Sequence, residues 1–336
     1  MSHRSLSRQE KKAAVIKKSA ALGIVLLLIV IGFIIGDRAL DRVAPEPEKP
    51  EPATEQGLIE IDGKLYRRKP ETVTYLLIGE DRTGGYNSSA DIDAGQSDFL
   101  QLLIVDRQEK AYRRIPINRD TVCEVRDLTE SGEDLGTSFV QIALAHANGD
   151  GREMSCENTV LAVKNLFLGA EIDEYVCVTL DAIKVINHAV GGVTVTIEDD
   201  LHSEEMKPGD TVTLTDDQAM AFVRGRMSVA DGTNVNRMSR QDQYLKSLAP
   251  LLKEKISQDE AFAADLYKDL QDCMVTTVSL GDISRLAKTY LDCEDKGTVV
   301  ISGESHVDKH KYMAFEPNEE DIREIVTTLL YTPVDG

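Results

Sequence analysis

The chain has 336 residues, and 38 Lys and Arg stand against 58 Asp and Glu for a net charge of −20. A polypeptide this acidic cannot neutralise a run of phosphates, which excludes nucleic acid as a partner yet leaves room for a phosphate ligand where a few arginines converge. Its length allows one large core, or a core with a small appendage.

Residues 1–19 form a basic tail in which Arg4, Arg8, Lys11, Lys12, Lys17 and Lys18 face the single acid Glu10. An uncharged apolar run over 20–36 follows and stops at Asp37. That is long enough for a transmembrane helix, which needs roughly 17–25 residues. Positive charge before the run places the N-terminus in the cytoplasm and everything after it outside the cell membrane, a single-pass topology. The flank Gly36-Asp37-Arg38-Ala39 is a poor small-residue cleavage site, so an anchor is favoured over a cleaved signal peptide. Residues 37–56 are rich in Pro and Glu and read as an extended spacer.

Folded structure is expected from Gly57, where Leu58–Ile61 and Lys64–Tyr66 flank Asp62-Gly63, a hairpin signal. Strand-like runs follow at Val73–Ile78, Phe99–Val105, Tyr112–Ile117, Tyr175–Thr179 and Val193–Ile197. Helical periodicity marks Ser138–Ala147, Cys156–Leu168, Asp181–Ala189 and Asp216–Val223, the last opened by a capping box at Thr215 and Gln218. Further helices are expected at Arg240–Lys255, Glu260–Leu270, Ile283–Leu291 and Glu319–Leu330. The alternation predicts an α/β fold, a mixed central β-sheet flanked by helices. The main domain is expected over 57–250, and 251–336 as a helical extension completing or decorating it.

All five cysteines (Cys123, Cys156, Cys177, Cys273 and Cys293) lie beyond the apolar run, and none shows paired CxxC spacing, which argues against a zinc site. Cys177 sits in an apolar alternating stretch and reads as a small buried hydrophobe, while pairings such as Cys273–Cys293 stay open. His306 and His310 have metal spacing only if helical and lack a third ligand. Asp91–Gly95 resembles a calcium loop without its distal glutamate, so a polar loop is the better reading. Phosphate-loop, HExxH and GxSxG motifs are absent.

The chemistry gathers elsewhere. One apolar strand runs into Gly79-Glu80-Asp81, Ser97-Asp98 opens the next, and a third ends in Asn118-Arg119-Asp120-Thr121. Carboxylates at the ends of neighbouring core strands meet at a sheet edge, where α/β folds hold ligands. Arg224 and Arg226 then end a helix, and Arg237, Arg240 and Gln241 follow in the next. Guanidinium groups suit oriented phosphate contacts, and a few carboxylates with phosphate oxygens make the usual magnesium arrangement. Singly, such residues are turn, cap or dipole partners; together in so acidic a chain, the arginines are the unusual feature.

These residues resemble the LytR-CpsA-Psr family of cell-wall glycopolymer transferases. The likeness is carried in order by Leu76–Asp81, Ser97–Phe99, Pro116–Thr121, Asp173–Tyr175, Ala189–Val195, Phe222–Arg226 and Arg237–Gln241. It implies an extracytoplasmic phosphotransferase that moves an anionic glycopolymer, such as teichoic acid or capsule, from a polyprenyl-pyrophosphate carrier to peptidoglycan. It further implies Asp81 and Asp98 as the metal-holding carboxylates with Mg2+ as cofactor. Asp81, Asp98 and Arg119 would be the catalytic set, and Arg119, Arg224, Arg226, Arg237, Arg240 and Gln241 the pyrophosphate-binding set. Asn118, Cys123 and Asn234 depart from the family pattern, which usually has a proline, a basic residue and an acid there. Hydrolysis of the same carrier with water as acceptor, or non-catalytic binding of wall polymer or lipid, would use the same arginines.

Overall fold

The computed structural model describes residues 57–86, 95–198, 200–201, 206–225, 234–259, 262–278, 293–309 and 311–334. The expected tail, membrane helix and spacer over 1–56, the loop 91–94, Arg226 and the helix Ile283–Leu291 lie outside these residues. No helix among the described residues is long and apolar enough to cross a membrane.

The chain opens with β1 (Leu58–Ile61) and β2 (Lys64–Arg68), an antiparallel hairpin. Its turn has positive φ at both Asp62 (51°) and Gly63 (74°), the backbone that a two-residue hairpin loop requires. Next come β3 (Thr72–Glu80), β4 (Ser97–Asp106), β5 (Ala111–Ile117), β6 (Val122–Leu128) and β7 (Asp134–Gln141). A 3-10 turn at Ile142–Ala145 leads to α1 (Glu153–Leu166), β8 (Glu174–Val178), α2 (Asp181–Val190), β9 (Thr194–Thr196) and β10 (Thr211–Thr213). Then follow α3 (Asp216–Arg224), α4 (Asn234–Gln258), α5 (Phe262–Leu270), β11 (Met274–Thr276), β12 (Glu294–Thr298), β13 (Gly303–Val307) and β14 (Met313–Pro317). The described chain closes with α6 (Glu319–Ile325), a π turn at Val326–Leu330 and β15 (Tyr331–Pro333).

The central sheet has six strands in the order β11-β8-β3-β4-β5-β12. It is mixed: β3 runs parallel to β8 and antiparallel to β4, and β5 runs antiparallel to β4 and parallel to β12. β3 and β4 each carry an unbroken apolar run, Tyr75–Ile78 and Leu102–Val105, because both faces are covered there. Tyr75, Leu77, Leu103 and Val105 pack on one side with α2 to α5, while Leu76, Ile78, Leu102 and Ile104 pack on the other with α1 and α6. The predicted α/β class and its mixed sheet are therefore present.

Two expectations are corrected. Ser138–Ala147 is not a helix: Ser138–Gln141 belong to β7, and only Ile142–Ala145 turn. Val140 and its β-branched and aromatic neighbours pair with β6, Val125 opposite Ser138 and Cys123 opposite Val140, and that pairing overrides the weak helical period. The boundary near residue 250 falls inside α4, and the portion beyond it is not simply helical. β11 and β12 are the two edge strands of the central sheet, and β15 pairs with β2. The buried Arg114 of β5 clamps β12 by donating to both oxygens of Asp295, at 3.2 and 2.9 Å. His306 lies on β13, not on a helix.

The turn from α2 into β9 fixes the site-bearing helix α3. Gly191 caps α2 with φ 84°, and Gly192 follows with φ 96°. A Cβ on Gly192 would lie 2.8 Å from Thr213 Cγ2 and 3.0 Å from the Leu214 carbonyl. Buried Asn187 completes the joint, donating to the Leu214 carbonyl (3.0 Å) and Asp216 (2.8 Å) and accepting from the Val193 N–H (3.0 Å). Gly192→Val therefore combines a disfavoured backbone with a clash and is expected to cost about 2–4 kcal/mol in urea unfolding. A variant of unchanged midpoint and slope would show that the joint is not rigid.

Candidate active site

β3 and β4 bring the backbones of Asp81 and Asp98 together. The Gln96 carbonyl accepts from the backbone N–H of Asp81 (2.9 Å) and of Asp98 (3.0 Å), so both residues hang from the same oxygen at the strand ends. A register shift between Gly79 and Glu80 permits this double contact. Arg119, on the turn after β5, forms an ion pair with Asp98, reaches Asp120 at 3.4 Å and donates to Gln96 Oε1 at 3.0 Å. Arg224, at the end of α3, approaches Asp81 at 3.5 Å.

The two pairs differ in burial. Side chains of Asp98 and Arg119 are 15% and 11% exposed, whereas those of Asp81 and Arg224 are 38% and 54% exposed. The inner pair is the more buried one, and the outer pair is screened by solvent, so its contact contributes little energy.

Asn118, in place of the family's proline, shapes the Arg119 turn. Its Oδ1 accepts from Asp120 N–H at 3.0 Å and its carbonyl from Thr121 N–H at 3.0 Å. From the C-terminal hairpin, Phe315 N–H donates to the Asp120 carbonyl at 2.8 Å, so the β13–β14 hairpin buttresses the same turn. Cys123 points into the core with 7% exposure, and burial pushes its thiol up to about 12.

The remaining arginines are placed differently from one another. Arg240 is 4% exposed and donates from Nε to the Phe222 carbonyl at 3.0 Å and from Nη2 to the Gly225 carbonyl. Gln241 adds a contact to the Val223 carbonyl at 3.4 Å. These groups supply donors at the C-terminal end of α3, where the last carbonyls of a helix have no intrahelical donor. Arg240 and Gln241, expected in the pyrophosphate-binding set, thus contact the end of the helix that carries Arg224. Arg237 lies on the first turns of α4, and Arg226 lies outside the described residues.

Sequence reasoning passed over Gln96, whose backbone and side chain join both pairs; nothing in its local sequence distinguishes it from any loop glutamine. It also passed over the role of Glu80. That carboxylate is buried beneath the site, 3.5 Å from Arg82 and 3.7 Å from His146 Nδ1. Burial, with the Cys177 sulfur nearby, raises its pKa above the ordinary carboxylate range.

The model of the LytR_cpsA_psr family matches residues 43–330. The chain belongs to the LytR-CpsA-Psr family. Among curated relatives, the polyisoprenyl-teichoic acid–peptidoglycan teichoic acid transferase TagU of Bacillus cereus (strain AH820) is 28% identical over 246 residues, 71% of each chain. Solved structures share the LytR-CpsA-Psr fold. Bacillus subtilis TagV superposes with a TM-score of 0.54 at 22% identity, covering 78% of this chain and 96% of that one. TagT bound to LI-WTA superposes with a TM-score of 0.54 at 19% identity, covering 76% and 88%. At these identities the two structures speak to fold alone.

Proposed function

We propose that this family member is an extracytoplasmic phosphotransferase, anchored through residues 20–36, that moves an anionic glycopolymer from a polyprenyl-pyrophosphate carrier to peptidoglycan. The observation that supports it is the pair of carboxylate–guanidinium contacts, Asp98–Arg119 within and Asp81–Arg224 without, made by two acids whose backbone N–H groups share the Gln96 carbonyl at the strand ends. Teichoic acid transfer is the activity named for TagU, which matches this chain over the segment that holds most of these residues.

The donor set at Asp81 and Asp98 is all carboxylate oxygen, and its two members share one backbone anchor, which suits a hard divalent cation such as Mg2+. When bound there with substrate phosphate oxygens, that ion supplies neutralisation of the charge that grows on the diphosphate. Arg119 holds the phosphate nearer the sheet, and exposed Arg224 exchanges Asp81 for a phosphate oxygen as the substrate enters. An acceptor sugar hydroxyl then attacks the glycan-side phosphorus and polyprenyl phosphate departs. Positioning and electrostatics carry the rate, since phosphoryl transfer leaves little covalent chemistry to the protein.

The full-length chain in detergent, given a polyprenyl-pyrophosphate saccharide, peptidoglycan oligomers and Mg2+, is expected to form a phosphosaccharide adduct on the glycan, seen by mass spectrometry. Free saccharide phosphate without adduct would replace transfer by hydrolysis. Donor binding without turnover would replace it by a binding role.

A further inference from the structure

Behind the Asp81 turn lies a cluster with no part in that chemistry. His146 follows the 3-10 turn, Cys156 lies on α1 and Cys177 on β8, and each is 0% exposed. His146 Nε2 is 3.5 Å from Cys177 Sγ and 3.7 Å from Cys156 Sγ, and the three donor atoms all lie within 4.8 Å of one another. A tetrahedral ion with metal–sulfur bonds of about 2.3 Å and a metal–nitrogen bond of about 2.0–2.1 Å sets nitrogen and sulfur roughly 3.5 Å apart. The two nitrogen–sulfur edges already have about that length.

The outer shell agrees. His146 Nδ1 is 2.9 Å from the Gly95 carbonyl, which can only accept, so Nδ1 carries a proton. Nε2 is then the atom turned to the two sulfurs, the tautomer and second partner typical of a metal-bound histidine. An ion would use both sulfurs. The buried Tyr86 hydroxyl is 3.6 Å from Cys177 Sγ.

We propose that His146, Cys156 and Cys177 form a buried site for a thiophilic cation, zinc foremost. Two thiolates neutralise a divalent ion, and soft sulfur with imidazole selects against magnesium. Lack of CxxC spacing hid the site, because its ligands come from a turn, a helix and a strand that only the fold assembles. The ion would tie β8, α1 and the 3-10 turn together directly beneath Glu80.

The test is metal binding by the reduced full-length chain in detergent after chelator treatment. Co2+ is expected to bind at one equivalent with thiolate charge-transfer and tetrahedral visible bands, to yield to Zn2+ and to ignore excess Mg2+. Zn2+ should raise the melting temperature and protect Cys156 and Cys177 from alkylation. Cys177→Ser and Cys156→Ser should lose the bands, while Cys123→Ser and Cys273→Ser keep them. The wild-type titration and alkylation map decide the matter even if the buried variants fail to fold. Absence of the bands in wild type overturns the proposal, as does alkylation of both thiols at equal rate with and without Zn2+. So does a Cys156–Cys177 disulfide in the isolated protein whose reduction restores no binding.

Discussion

Asp98→Ala is expected to lower glycopolymer transfer by about 10²–10³-fold, the loss that follows removal of one preorganised charge from a site that works by electrostatics. The fold should survive. Arg119 keeps Gln96 at 3.0 Å and Asp120 at 3.4 Å, so its charge is not stranded. Asp98→Asn preserves shape and removes charge, and should lose nearly as much. Initial rates with the lipid-linked donor, beside a thermal melt for each variant, make the comparison. Wild-type turnover by Asp98→Ala would remove Asp98 from the site. A lost rate with a collapsed melt would mean that the residue serves the fold.

Arg240→Ala is expected to cost stability first and donor affinity second. Hydrogen bonds from a charged donor are worth about 1.5–3 kcal/mol each, and this side chain makes at least two to the end of α3. A loss of about 2–4 kcal/mol in urea unfolding should therefore accompany a raised KM for the donor, because Arg224 rides on the loosened helix end. Arg240→Lys should recover part of the stability. Arg224→Ala, at an exposed position, should raise KM with stability almost unchanged. If Arg240→Ala instead weakens donor binding without any loss of stability, its guanidinium meets phosphate directly.

These two residues also show where sequence reading reaches its limit. Asp98 is legible because it opens an apolar strand, and strand ends are where such folds gather their ligands. Arg240 carries the same family signature, yet the fold turns it inward against the carbonyls of Phe222 and Gly225. Sequence spacing gives a residue its neighbours along the chain but not the direction in which a buried group finds its acceptors.

Period and punctuation in the sequence alone determined the β1–β2 hairpin, the core strands β3, β4, β5 and β8, the capped helix α3 and the carboxylates at the strand ends. These are local effects of alternating burial, turn backbone and capping. Tertiary structure decided what depends on contacts between distant segments. It made β7 a strand by pairing it with β6, and it placed β11 and β12 at the edges of a sheet begun two hundred residues earlier. It set the β13–β14 hairpin against the Arg119 turn. It also brought His146, Cys156 and Cys177 to one point inside the core, because a donor triangle is defined by distances in space, which residue spacing along three separate elements does not fix.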